Sequence, residues 1–190
     1  MKIGLFFGSF NPMHIGHKII ASYMLEFSVL NKIVFVVSPQ NPLKQKDSLL
    51  GQHHRLMILR RELEDIPNLE VSDIEFDMPK PSYTIDTLVR LQEKNPKYEY
   101  SIIMGSDNLQ NFHKWKNYKQ ILKNHSVYVY PRSGFGITES HKNIYVVENV
   151  PQMEISAKLI RKHIRSGKDV SYLMPEKAWQ YIDEMNFYKK

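Results

Sequence analysis

A chain of 190 residues that is 42% apolar and 12% aromatic has the material for one sizeable core, and a charged share of 24% excludes global disorder. Twenty-six Lys and Arg against 20 Asp and Glu leave a formal charge of +6, which favours anionic partners without choosing among nucleotides, nucleic acid and membrane surfaces. The absence of cysteine excludes disulfides, thiolate metal ligands and a cysteine nucleophile. No segment approaches the roughly 20 apolar residues of a membrane span, and the N-terminal apolar run lacks a signal-peptide pattern, so a cytoplasmic protein is expected.

In chain order, Ile3 to Phe7 reads as a buried strand and Ile15 to Leu30 as a helix, with Ile19, Ile20, Tyr23, Met24 and Phe27 at helical spacing. Ile33 to Ser38 predicts a second strand. Asp47 or Ser48 is expected to cap a helix running through Arg61, and LEVSDIEF, from about Leu69, predicts a third strand. Two prolines stiffen MPKPSYT before a helix from Ile85 to Lys94, with Thr84 as the expected cap. Tyr100 to Met104 is a further strand, Tyr118 to Leu122 a short helix, and HSVYVY and NIYVVENV two more strands. Helices Ala157 to Arg165 and Glu176 to Met185 close the chain, separated by Gly167 and Pro175. Strands alternating with helices predict an α/β fold, doubly wound, with a mostly parallel sheet and helices on both faces. One domain over residues 1–190 is expected, with a small helical portion from about 155. Ligands of such sheets bind beyond the carboxyl ends of the strands, where the loops at Gly8, Ser38, Gly105 and Arg132 would gather.

Three loops carry the candidate chemistry. In GSFNPMHIGH, a tight turn after a buried strand leads into a helix start, so backbone N–H groups and the imidazoles of His14 and His17 converge where an anion would sit. The expected ligand is a nucleotide phosphate; ordinary loop chemistry is the bland alternative. The segment lacks the glycine spacing of a dinucleotide fingerprint and the ending of a P-loop, and its HxxH has no third ligand at zinc spacing. No protein metal site is therefore expected. In EISAKLIRKHIR, Ser156 stands at a helix cap with Arg161 further along, an arrangement that can hold distal phosphates or simply present a solvated basic face. In GSDNLQNFHKW, Asp107 either accepts from a ribose or caps a helix, and Trp115 either stacks on a flat ligand or covers the core.

Together these residues resemble the nucleotidyltransferase superfamily with the GxFxPxHxGH signature, and more closely its bacterial nicotinate-nucleotide adenylyltransferases. Gly8 to His17 resembles the first motif and Ile155 to Arg161 the ISxxxIR element. PSYT, GSDNLQNFHKW, Pro131-Arg132 and LMPEKAWQYIDEMNFY stand between and after them in the family's order, so the resemblance spans the whole chain. It implies a Rossmann-like fold, transfer of AMP from ATP to nicotinate mononucleotide, and Mg²⁺ accompanying the ATP. It implies that His14, His17, Lys44 and Arg161 act in catalysis, His17 nearest the transferred phosphoryl. Gly8, Phe10, Gly16, Gly105, Asp107, Arg132, Ile155 and Ser156 would join His14, His17 and Arg161 around ATP. Gly8, Ser9, Phe10, Lys44, Tyr83, Thr84 and Trp115 would take the mononucleotide. Leu43 stands where the family often has a histidine, leaving Lys44 or Lys46 as its substitute.

Two other acceptors compete. Phosphopantetheine adenylyltransferases share the HxGH and ISxxxIR elements but not PSYT or the Trp115 segment, and nicotinamide mononucleotide differs from nicotinate only in an amide. A non-catalytic nucleic-acid-binding protein would use the basic C-terminal helix, but no RNP, KH or zinc-finger pattern is present, so no nucleic-acid or membrane partner is expected.

Overall fold

Parallel strands buried on both faces need apolar side chains pointing both ways, and the chain supplies them. The computed structural model describes residues 1–39 and 49–189. Over these residues the elements run β1 (Lys2–Gly8), α1 (Ile15–Phe27), β2 (Lys32–Val37), α2 (Gln52–Leu63), β3 (Leu69–Ser72), α3 (Thr84–Lys94), β4 (Glu99–Gly105), α4 (Ser106–Leu109), α5 (Tyr118–Asn124), β5 (Val127–Tyr130), β6 (Ile144–Val146), α6 (Ala157–Arg165) and α7 (Glu176–Glu184). The described strands form one sheet in the order β3-β2-β1-β4-β5-β6, and every neighbouring pair is parallel. This is the doubly wound order, with its reversal between β1 and β4.

The period of two along each strand separates two cores. Phe6, Phe35 and Ile103 pack on one face with Met24 of α1, Leu59 of α2, Ile160 of α6 and Ile182 of α7. Leu5, Val36 and Ile102 pack on the other with Leu88 of α3, Leu109 of α4 and Ile121 of α5. Each such side chain removed from water contributes about 1.5–3 kcal/mol, so both helical layers are fastened mainly by burial.

Several expected boundaries move. Helix α1 ends at Phe27 rather than Leu30, because the Ser28 hydroxyl donates to the Met24 carbonyl at 2.5 Å and accepts the Leu30 N–H, which turns the chain out of the helix. Helix α2 starts after Gly51, so neither Asp47 nor Ser48, which lie outside the described residues, is its cap. Tyr83 rather than Thr84 is the N-cap of α3; it caps through its carbonyl, which accepts from Asp86 and Thr87. Strand β3 stops at Ser72, where the Ser72 hydroxyl takes the Ile74 N–H, and turns follow as far as Met78. NIYVVENV contributes only three residues to β6, and α7 stops one residue early, at Glu184.

Candidate active site

The carboxyl ends of β1 and β4 lie side by side at the reversal of strand order, and the chain leaves them toward opposite halves of the sheet. A cleft of about 1090 Å³ opens there, large enough for two nucleotides. The turn after β1 lines it with Gly8, Ser9, Phe10, His14, Gly16 and His17. Gly105 and Asp107 enter from the end of β4, Tyr83 and Thr84 from the start of α3, and Trp115 from the loop before α5. Arg132 follows β5, and Ile155 and Ser156 precede α6. Arg161 stands outside that lining: its Nη1 donates to the Asn11 carbonyl at 2.6 Å, behind the turn. Lys44 and Lys46 lie outside the described residues.

Two glycines leave room for close approach. A Cβ on Gly8 would meet the Phe10 ring at 2.8 Å, and one on Gly105 would meet Asp107 Oδ1 at 2.5 Å. Phe10 itself holds a left-handed φ of 43° while almost fully buried, a strained conformation fixed by packing on Phe6, Phe35 and His17.

His14 is the N-cap of α1 and His17 its third residue. The two rings stack with centroids 3.6 Å apart, and His17 Nδ1 accepts from the His14 N–H at 3.2 Å. That bond places the proton of a neutral His17 on Nε2, which makes Nε2 a donor. Burial, then the nearby charge of Arg132, lowers the His14 pKa from 6.5 to about 4, so this ring is neutral at pH 7. Its Nδ1 is buried with no hydrogen-bond partner among the described residues, as is Asp107 Oδ1. Asp107 Oδ2 lies 3.5 Å from Arg132 Nη1. The Arg132 N–H is itself held by the Ser106 hydroxyl at 2.9 Å. At the far wall the Ser156 hydroxyl accepts the Leu159 N–H, capping α6 with its N-terminus at the cleft.

Positive groups also frame the start of α3, where Lys116 sits 5.0 Å over the Tyr83 ring and pairs with Asp86 at 2.8 Å. The Trp115 indole packs edge-on against Phe112 at 5.2 Å, as a ring covering the core would, and also lines the cleft.

Three residues to which the sequence assigns no individual role brace the site. Arg55, fully buried on α2, donates to the carbonyls of Leu50, Ser9, Ser38 and Pro39, tying the β1 turn to the loop after β2. Burial lowers its pKa to about 10, which leaves it cationic at pH 7. Glu75, 2% exposed and itself lining the cleft, accepts the hydroxyls of Ser82 and Thr87 at 2.6 and 2.8 Å and so brackets Tyr83 and Thr84. The Tyr188 hydroxyl donates to Asn11 Oδ1 at 2.7 Å across 177 residues of chain. An Arg within QHHRLMILRREL reads as one more exposed helix charge, so no spacing rule could have flagged it.

Comparison with known proteins agrees with this geometry. The family model described as cytidylyltransferase-like matches residues 5–163. A probable nicotinate-nucleotide adenylyltransferase of Flavobacterium psychrophilum is 51% identical over 194 aligned positions, covering 100% of both chains. One from Bacteroides thetaiotaomicron is 40% identical over 97% of this chain and 92% of its own. Among solved structures, the Plasmodium falciparum nicotinic acid mononucleotide adenylyltransferase complexed with NaAD superposes with a TM-score of 0.80 at 21% identity, covering 98% of this chain and 97% of that one, a likeness of fold. On this evidence the chain belongs to the cytidylyltransferase-like family and, within it, to the nicotinate-nucleotide adenylyltransferases.

Proposed function

We propose that this chain transfers AMP from ATP to nicotinate mononucleotide, giving nicotinate adenine dinucleotide (deamido-NAD) and pyrophosphate. The observation that carries the reading is the stacked His14–His17 pair at the N-terminus of α1, opening into a two-nucleotide cleft at the switch point. Half of the residues are shared with the Flavobacterium psychrophilum relative along the full chain, which supports the same acceptor.

The chemistry needs no protein nucleophile. A phosphate oxygen of the mononucleotide forms the new bond to the α-phosphorus of ATP while the bond from that phosphorus to the bridging oxygen of pyrophosphate breaks. The protein's task is to align two anions and to offset their crowded charge. In this reading His17 Nε2 donates to the transferred phosphoryl, and neutral His14 lies beside it. Ser156 and the open N-terminus of α6 hold the distal phosphates. Ile155 and Arg132 border the nucleotide, with Gly105 and Asp107 at its adenosine. Gly8, Ser9, Phe10 and Gly16 let both phosphates approach the backbone. Tyr83, Thr84 and Trp115 take the pyridine end, the first amides of α3 serving a carboxylate. Arg161 serves catalysis by fixing the turn through Asn11, and Lys44 contributes positive charge toward the phosphates. Mg²⁺ enters with ATP as part of the substrate. Among the described residues no group of three or more His, Asp and Glu could hold a metal, and Mg²⁺ characteristically binds through substrate phosphates.

The test is Mg²⁺-dependent release of pyrophosphate from ATP, with nicotinate mononucleotide, nicotinamide mononucleotide and phosphopantetheine offered separately at matched concentration. Preferential turnover of the first is expected. Preference for another acceptor overturns the acceptor assignment, and no turnover with any overturns the reaction.

A further inference from the structure

The β1 turn is gripped by four donors that come from three distant parts of the chain, Leu50 and Arg55 at the start of α2, Arg161 on α6 and Tyr188 after α7. Arg55 Nη1 donates to the Ser9 carbonyl at 2.5 Å, and Arg161 Nη1 to the Asn11 carbonyl at 2.6 Å. Asn11 Oδ1 accepts both the Leu50 N–H at 3.1 Å and the Tyr188 hydroxyl at 2.7 Å. The backbone donor identifies that side-chain atom as the oxygen, so the phenol must be the donor of its own bond. Asn11 is 5% exposed, lies in the strained stretch beside Phe10 (φ 43°), and precedes His14 by three residues. A shift of the Asn11 side chain therefore moves the segment that carries His14 and, through the His14 N–H, His17 Nδ1.

We propose that Tyr188, in the turn after α7, is a positioning residue for adenylyl transfer, its hydroxyl holding Asn11 so that the two histidines are set before substrates arrive. The inference rests on the function proposed above and adds to it a residue outside the cleft lining. The phenol suits the task because burial pushes its pKa above the ordinary range, so it remains a donor throughout the working pH range. The ring packs against the core cluster and lies edge-on to Phe187, with centroids 6.5 Å apart, so Tyr188→Phe removes the donor and keeps the packing.

The experiment is a kinetic cycle over the parent protein, Y188F, N11A and the double variant, with kcat, both KM values and the thermal midpoint measured for each. Positioning errors act on the reacting geometry, so Y188F is expected to lower kcat about tenfold while both KM values stay within about twofold. In the N11A background, Y188F is expected to add nothing, since the phenol acts through that oxygen. An unchanged kcat, a loss confined to the thermal midpoint or to the KM values, additive effects, or a Y188F chain that no longer folds overturns the inference. An inactive parent takes down the proposed function with it, whereas the other failures strike only the role of Tyr188.

Discussion

At His14 the side chain and its protonation are fixed by the same burial. Its pKa is lowered from 6.5 to about 4, first by burial and then by Arg132. The folded state thus binds the proton less readily than the unfolded chain. The corresponding stability is fully present above pH 6.5 and drains away as pH falls toward 4, a total of about 3 kcal/mol. Urea midpoints measured between pH 7 and 4 should show that acid limb, and His14→Gln should flatten it. His17 is expected to weigh on rate rather than on stability, because a donor to the transferred phosphoryl strengthens as charge moves toward pyrophosphate. His17→Ala should lower kcat by about 10²–10³ with KM for ATP little changed; steady-state kinetics equal to the parent's would remove His17 from the chemistry.

Among the elements, α7 depends on a junction of three helices. Glu62 of α2, 7% exposed, accepts from Lys18 Nζ of α1 at 2.5 Å and from the Lys177 N–H of α7 at 3.2 Å. One carboxylate thus caps the start of α7 and draws α1 alongside it. Lys18 is a third exposed, so solvent discounts the ion pair, and Glu62→Ala should cost about 1–2 kcal/mol, read as a lowered urea midpoint. Element identity was legible in the sequence wherever the pattern was strong: the β-branched apolar run of IVFVVS suits a strand buried on both faces, and Ser156 announced α6 by its cap. Boundaries set by single hydrogen bonds were not legible, because Ser28 and Ser72 each redirect the chain through a local bond that no periodicity records. The cleft-facing side of the site was readable because the loops that line it carry distinctive residues such as Gly8, His14 and His17. The contacts of Arg55 and Tyr188 were not, since they form only when remote segments meet.

At the scale of the molecule, the sheet order puts β1 and β4 at the centre and lets the flanking elements converge on their ends. Residues that line the cleft run from Phe6 to Ala157, so the site belongs to the tertiary fold rather than to any contiguous segment. The bond between Tyr188 and Asn11 stretches that dependence further, to 177 positions. A ribosome adding about 5–20 residues per second needs roughly 10–35 s to cover that interval. Throughout it the nascent chain already carries both histidines yet lacks the phenol that bonds Asn11, so this contact can form only after Tyr188 has been added.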